Sequence, residues 1–563
     1  MEDLNPEQQR AASHIEGPML VLAGAGSGKT RVVTRRIAHL LSIGVPSSEI
    51  LAVTFTNKAA SEMAERVRQM SAQRVLTLTF HALGARILRE SLDHLGYDTS
   101  FTIYDESDSE TLLKQCLRDM DQKGDKSALK EVRLAISKAK NDLLSPEQVD
   151  APFRPIYDLY MRRLKEYRAV DFDDLLYLTV RLLREVESVR THYQTRWRFL
   201  LIDEYQDTNE AQYHIVRLLT GDHNNVFAVG DPDQSIYSWR GAHIGNILTF
   251  EESFPGATIV TLEQNYRSTT TILDAANSVI ANNQGRYEKR LWSGLGRGDP
   301  ITLYTASSEY NEAAFVATMV EESESPLTDC AVLYRTNAQS RPLEDACMRR
   351  SIPYVIIGGI SFYQRREVKD MLALLRVALS DRDFVSFART INLPKRGIGA
   401  VTLGKMQRLC DELSIPLSEI PHHMSLSAKQ RNGLESYLNV IASIRAMIER
   451  HERLDHIVKS AIDESGYLDY LKEDLDTYRD RKENLDELIA TAAEWHAARE
   501  DTTLAAFLEE LSLKSSTERI ATEGALTLMT LHNAKGLEFD TVFLVGMEED
   551  LLPHINSKLS PDA

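Results

Sequence analysis

The feature that most restricts the fold is the run MLVLAG (Met19–Gly24), which opens into AGAGSGKT (Ala23–Thr30) and passes at once into a helical stretch reaching Leu41. An apolar strand, a glycine-rich turn and a helix start in immediate succession suit one task. Glycines let the backbone wrap a phosphate with its N–H groups, and the helix N-terminus adds partial positive charge. In such a loop the lysine, Lys29, reaches the β- and γ-phosphates of a nucleotide, and the Thr30 hydroxyl suits Mg²⁺. The candidate nucleotide-binding residues are therefore Ala23, Gly24, Ala25, Gly26, Ser27, Gly28, Lys29, Thr30 and the adjoining Arg31. The usual pattern begins with glycine, where this chain has Ala23; Gly24, Gly26 and Gly28 keep the loop flexible.

Further β-rich runs follow at ILAVTF (Ile50–Phe55) and VLTLTF (Val75–Phe80). Buried apolar strands alternating with helices predict a parallel sheet covered on both faces, an α/β fold. From about Ala85 to Trp197 the periodicity is helical and charged, before strand-like runs resume at FLLIDE (Phe199–Glu204), VFAVGD (Val226–Asp231) and TIVTLEQ (Thr258–Gln264). The stretch Lys126–Asn141, with Lys130, Arg133, Lys138 and Lys140, reads as a solvated helix face. SGLGRGD (Ser293–Asp299) is a turn-rich linker. A second strand set comprises ITLYTA (Ile301–Ala306), CAVLYRT (Cys330–Thr336) and PYVIIGG (Pro353–Gly359); after a long helical stretch, LTLMTLH (Leu526–His532) and TVFLVGM (Thr541–Met547) return to strands. The layout of sheet, helical insertion and sheet thus occurs twice. The expected division is a first core at 1–85 and 196–275, its insertion at 86–195, a second core at 276–375 and 522–563, and its insertion at 376–521.

The chemistry clusters where these strands end. LLIDEYQD (Leu200–Asp207) puts acids at a strand C-terminus, where ligands bind in such sheets. Asp203 is suited to the Mg²⁺ shell, and Glu204 to orienting or deprotonating water. In VGDPDQSIYSWRGA (Val229–Ala242), Gln234 is placed to touch a γ-phosphate, while Tyr237 and Trp239 can stack bases and Arg240 can meet a phosphate. Local sequence leaves open whether those aromatics are core or a nucleic-acid platform. QNYRS (Gln264–Ser268) offers Arg267 as a transition-state cation and Tyr266 as a stacking face.

Composition sets limits. For 563 residues, 65 basic against 83 acidic side chains leave a net charge of −18, so any nucleic-acid contact must be a local groove. No run of about 18 apolar residues is present, so no membrane span is expected, and the polar N-terminus lacks the form of a signal peptide. The four cysteines, Cys116, Cys330, Cys347 and Cys410, form no C-x-x-C pair. Free thiols and a cytoplasmic location are the expectation.

Taken with LNPEQQ (Leu4–Gln9), VTFTNKAASEM (Val53–Met63), TFHALG (Thr79–Gly84), DFDDLL (Asp171–Leu176), YRTNAQSR (Tyr334–Arg341), FYQRREVKD (Phe362–Asp370) and LMTLHNAKGLEFDTVFLVGMEE (Leu528–Glu549), these segments resemble, in order and spacing, the Rep/UvrD/PcrA-type superfamily-one DNA helicases. The resemblance implies two RecA-like cores with ATP and Mg²⁺ between them, single-stranded DNA across both, and 3′-to-5′ movement one base at a time. It implies that Gln8 reads adenine, Tyr266 stacks on it and Glu538 meets the ribose side. Lys29, Thr30, Asp203, Glu204, Gln234 and Arg267 would serve phosphates, metal and water. Phe55, Thr79, His81, Tyr237, Trp239, Arg240 and His532 would serve the DNA. LPKRGIGAVTLGK (Leu393–Lys405) resembles a family turn in which Gly397 and Gly399, helped by Lys395 and Arg396, meet duplex phosphate.

Two departures stand out. The chain reads DLLPH, with Leu552 where the family has an aromatic, and nothing matches the family's last motif, which carries a second arginine finger. The resulting expectation is a chain that is C-terminally truncated, binds ATP and DNA, and hydrolyses slowly. Alternatives are a non-hydrolysing regulatory fragment of such a helicase and the motor half of a helicase–nuclease. A simple kinase does not account for the second core's motifs. The resemblance implies a role in DNA repair or replication.

Overall fold

The computed structural model describes residues 3–120, 126–238, 241–283, 286–357, 365–472, 475–499, 502–513 and 524–553. The chain divides into two compact units, Met1–Gly298 with Arg366–Leu513, and Asp299–Arg365 with Lys514–Ala563. The crossing at Gly298 falls inside the glycine-rich linker.

In the first unit, six strands form one sheet: β1 (Met19–Ala23), β2 (Ile50–Thr54), β3 (Leu76–Thr79), β4 (Phe199–Ile202), β5 (Val226–Gly230) and β6 (Thr258–Leu262). They lie in the order β3-β2-β4-β5-β1-β6, every pair parallel. Successive side chains of a strand face opposite ways, and here both ways are apolar. Leu20, Leu22, Leu51, Val53, Leu200 and Ile202 enter one core, whereas Met19, Val21, Ile50, Ala52, Phe199 and Leu201 enter the other. That explains why the runs read as unbroken hydrophobic stretches without alternation. Each such side chain contributes about 1.5–3 kcal/mol by leaving water, which makes the sheet a rigid base for the loops at its C-terminal edge. The TIVTLEQ run breaks at Glu263: β6 ends at Leu262, and Gln264–Asn265 pair instead with Trp292–Ser293.

The helices of this unit include α1 (Pro6–Ser13), α2 (Lys29–Ser42), α3 (Asn57–Ser71), α4 (Phe80–Ser91), α5 (Lys126–Asn141), α6 (Phe172–Glu185) and α7 (Arg366–Leu379). The reading of α5 as a solvated face needs correction at one position. Lys138 is exposed and paired with Asp142 one turn on, but Lys140 is wholly buried, 2.7 Å from Asp171 and 2.8 Å from Asp174. Those two acids belong to DFDDLL, where Asp171 caps the N-terminus of α6. The cluster pins α5 to α6 inside the first insertion. Helix α7, which spans the expected boundary at 375, belongs to this unit: Arg376 reaches Asp108 at 2.6 Å, Lys369 reaches Asp105 at 2.6 Å, and beyond the helix Asp383 accepts from the Tyr104 hydroxyl at 2.6 Å.

The second unit carries a four-stranded parallel sheet of β7 (Cys330–Tyr334), β8 (Tyr354–Ile357), β9 (Leu526–Thr530) and β10 (Thr541–Leu544), in the order β8-β9-β7-β10. ITLYTA, expected as a strand, forms none: 301–306 pairs with no ladder among the described residues, and Leu303 stays 89% exposed. β-propensity expresses packing against neighbours, and without a partner strand the backbone groups gain nothing from extension. No helix among the described residues is long and apolar enough to cross a membrane.

Candidate active site

The loop between β1 and α2 takes the form its glycines allow. Gly26 and Gly28 sit at φ of 65° and 86°, left-handed values that L side chains rarely adopt. Ser27 is buried and its hydroxyl donates to the Gly24 carbonyl at 2.7 Å. Helix α2 then starts at Lys29, so the free N–H groups of its first turn face the loop.

Around Lys29 the ends of β1, β4 and β5 converge. Its ammonium lies 3.2 Å from Glu204 Oε1 and donates to Gln234 Oε1 at 3.2 Å. Burial would depress its pKa, but Glu204, Asp231 and Asp203 more than offset this and the net shift is upward. Lys29 is therefore a cation held ready among acids. Thr30 Oγ1 donates to Asp203 Oδ2 at 3.4 Å. Burial, reinforced by the Glu204 charge and opposed by Lys29, pushes the Asp203 carboxyl up to about 7. A carboxylate and a hydroxyl side by side are hard oxygen donors, and Asp203 gains from a nearby cation. Among the described residues no group of three or more His, Cys, Asp or Glu side chains could hold a metal. That fits Mg²⁺, which is commonly held by one or two carboxylates plus substrate phosphates. Glu204 itself sits at φ 54°, a left-handed conformation unusual for a non-glycine residue. Strain of this kind costs on the order of 1–3 kcal/mol and clusters at functional sites.

The adenine-side candidates also meet at the loop. Gln8 is buried, donates through Nε2 to the Ser27 carbonyl at 2.9 Å, and shares a capping box with Asn5 at the start of α1. Asn5 Nδ2 donates in turn to the Tyr266 hydroxyl at 3.0 Å, and Tyr266 N donates to the Gly26 carbonyl at 2.9 Å. Tyr266 is 43% exposed, so its side chain is accessible to a ligand. Arg267 follows on the same turn and is exposed. Arg31 points away from the loop interior and pairs with Asp3 at 2.6 Å.

Of the DNA candidates, Phe55 and Tyr237 are brought together, with rings 5.3 Å apart and 18° from parallel. Thr79 is the N-cap of α4, its hydroxyl accepting from Ala82 N at 3.3 Å. His81 packs edge-on against Phe172, and burial drives its pKa down to about 4. At neutral pH it offers a hydrogen bond and a ring face but no charge. Trp239 and Arg240 lie outside the described residues. His532 and Glu538 belong to the second unit, beyond β9: His532 on the short helix Leu531–Ala534, Glu538 exposed. In the LPKRGIGA turn, Gly399 N-caps the following helix, but the Arg396 guanidinium is occupied by the carbonyls of Ile391, Pro394 and Ser465.

Three groups escaped the sequence reading. Asn265 ties QNYRS to the phosphate loop, donating to the Ala25 carbonyl at 2.6 Å and accepting from Arg267 N at 2.8 Å. Lys289, 3% exposed, pairs with Asp231 and, at 3.0 Å, with Asp233, and Arg286 grips Asp233 at 2.8 Å. Gln206 is wholly buried between Glu204 and Asp231. Asn265 and Gln206 lay within quoted motifs, and their signal was the very presence of an amide between functional neighbours. Lys289 and Arg286 gave no local signal.

Two family models cover nearly the whole chain: the UvrD/REP helicase N-terminal domain over residues 4–255 and the UvrD-like helicase C-terminal domain over residues 260–562. The chain is 40% identical, over all of its length and 80% of the relative's, to the ATP-dependent DNA helicase PcrA of Staphylococcus aureus. It is 41% identical, with the same coverage, to the protein of that name from Staphylococcus epidermidis.

Proposed function

The chain belongs to the UvrD/REP helicase family and is a DNA helicase of the ATP-dependent kind, and we propose that it is a 3′-to-5′ motor on single-stranded DNA, acting in repair or replication in the cytoplasm. The observation that carries the reading is the position of Lys29, between Glu204 and Gln234 where β1, β4 and β5 end. A nucleotide cradled by residues 23–30 would exchange these protein contacts for phosphate oxygens. Thr30 and Asp203 would hold Mg²⁺, which when bound neutralises charge on the β- and γ-phosphates. Glu204 would accept a proton from the attacking water, Gln234 would report the γ-phosphate, and Arg267 would stabilise its transition-state charge. Gln8 and Tyr266 would complete the nucleoside side of the site. The second unit serves in this reading as the second RecA-like core, and the segments at 86–195 and 376–521 as the helical insertions.

Movement requires that nucleotide state change the hold on DNA, because a ligand shifts an equilibrium only by its differential affinity for two states. Gln234 and Tyr237 share one loop, so phosphate contact and base contact are three residues apart. Phe55 and Tyr237 lie nearly parallel, and a base stacked between them must first part them. Such stacking is worth about 1–3 kcal/mol per base and tolerates any sequence. With Thr79, His81, Trp239 and Arg240, the pair would line the strand's path on the first unit, and His532 would serve the DNA from the second unit's own sheet. All four cysteines are free thiols, in keeping with a reducing compartment.

The test is phosphate release from Mg·ATP by this chain with oligo-dT, with duplex or without DNA, together with displacement of streptavidin from either oligonucleotide end. Stimulation by the single strand and clearance of the 5′ end are expected. Stimulation by duplex alone, or clearance of the 3′ end, removes the assigned DNA path or polarity.

A further inference from the structure

The turns that follow β4 and β5, which carry Glu204 and Gln234, are bridged by the side chain of Gln206. It is 0% exposed. Its Nε2 donates to Glu204 Oε2 at 2.6 Å and to Asp207 Oδ2 at 3.1 Å, and its Oε1 accepts from Asp231 N at 2.9 Å. The orientation of the amide is fixed by its surroundings. A backbone N–H can only donate, so the amide oxygen must face Asp231; the amide nitrogen then faces two carboxylates, which accept. Gly230 makes the approach possible, since a Cβ there would stand 2.6 Å from Gln206 Oε1.

A glutamate carboxylate turns readily about its last torsion. Glu204 is held on one side by Lys29, whose contacts of 3.2–3.3 Å are long for a charged pair. On the other side it is held by Gln206, the shorter contact of the two. A nucleotide bound in the loop would draw Lys29 toward phosphate, while Gln206 stays in place as a fixed partner. The same amide is anchored to Asp231, where the Gln234 loop begins: Gln234 Nε2 donates to Asp231 Oδ2, and Lys289 grips that aspartate from the far side. Any movement of the loop that lengthens the Asp231 contact shifts the donor that faces Glu204.

We infer that Gln206 is a positioning residue for hydrolysis: it aims the Glu204 carboxylate at the attacking water and makes that aim conditional on where the Gln234 loop stands. The inference rests on the assignment of Glu204 as the water-activating base. Gln206 is wholly buried and its amide meets Glu204, so its expected effect on turnover passes through residue 204.

The experiment is a double-mutant cycle on the full chain with Mg·ATP and saturating oligo-dT. Gln206→Leu, assayed at a temperature where the variant remains folded, should lower kcat by about 10–100-fold, the range a misplaced reacting group costs, with KM for ATP within about threefold. In a Glu204→Ala background the same change should alter residual kcat by less than about twofold, because coupled residues are not additive. Gln206→Glu keeps the acceptor for Asp231 N and offers an acceptor where Glu204 needs a donor. It guards against a folding defect in the leucine variant and should show the same loss. A native kcat in Gln206→Glu, or an equal factor for Gln206→Leu in both backgrounds, overturns the inference alone. Native turnover by Glu204→Ala, a variant that leaves residue 206 untouched, overturns the assignment of the base and the inference with it.

Discussion

Lys140 and Lys29 are both buried among carboxylates, and they are held in opposite ways. Lys140 is 0% exposed, 2.7 and 2.8 Å from two aspartates, with the Tyr160 hydroxyl donating to one of them at 2.9 Å. The Lys29 side chain is 11% exposed and, among the described residues, no polar partner lies closer than 3.2 Å; the nearby Thr30–Asp203 bond is 3.4 Å. Charge-assisted contacts between fixed partners run to about 2.7–2.9 Å. The first cluster has reached that length. The second has not, and it is built on Glu204, whose backbone is strained. Similar chemistry serves two purposes: closed, it fastens helices, and left long, it waits for a ligand. Buried charge alone does not separate a structural cluster from a functional one, but the lengths of its bonds do.

The strongest way to break this contrast is Lys29→Ala. The lysine is the donor aimed at charge developing on the phosphates, and losing one such preorganised donor costs about 10²–10³-fold in rate. DNA-stimulated phosphate release should fall by about 10³-fold while the melting temperature barely moves, because the ammonium's bonds to Glu204 and Gln234 are long and weak. A variant that unfolds instead would mean that Lys29 fastens the fold as Lys140 does.

Lys140→Met should give the reverse result. Removing one partner of a buried ion cluster strands the others, at about 3–5 kcal/mol, here Asp171 and Asp174. Thermal unfolding should shift down by several degrees. At a temperature where the variant remains folded, kcat should stay within about threefold of native. A large loss of kcat without a loss of stability would place α5 in the coupling between DNA and nucleotide.

The difference between the lysines also marks what the sequence disclosed. Lys29 was legible because everything that defines it is local: strand, glycines, lysine and helix start within Met19–Leu41. The strands were legible for the same reason, since side chains entering both cores leave an unbroken apolar run. Lys140 was read as solvent-facing because its partners lie 31 and 34 residues on, across an insertion whose packing no local pattern specifies. ITLYTA has the composition of a strand, but a strand exists only with a neighbour. The pairing of Phe55 with Tyr237 joins two loops 182 residues apart; each ring was visible as a candidate, their stacking was not. Lys289 and Arg286 escaped notice because an exposed-looking RYEKR run gives no sign that it folds back onto Asp231 and Asp233.

Asp203→Asn tests the waiting state of the site directly, with the smallest effect. Burial and the Glu204 charge place the folded carboxyl near 7, against 3.8 for an ordinary aspartate. Between those values the folded state holds more protons than the unfolded one, so stability falls as pH rises. The contribution is fully present below about 3.8 and is lost as pH passes 7. Asparagine carries no such charge. Without nucleotide or metal, Asp203→Asn should therefore melt higher than the native chain at pH 8, by a few degrees, and the two curves should converge toward pH 4. Mg·ADP should reverse the order at pH 8, because a bound cation favours the ionised carboxylate and stabilises only the chain that has one. An asparagine variant less stable than native at pH 8 without ligand would mean that Asp203 is already paired as tightly as the acids around Lys140, and that the site is not held open for a cation.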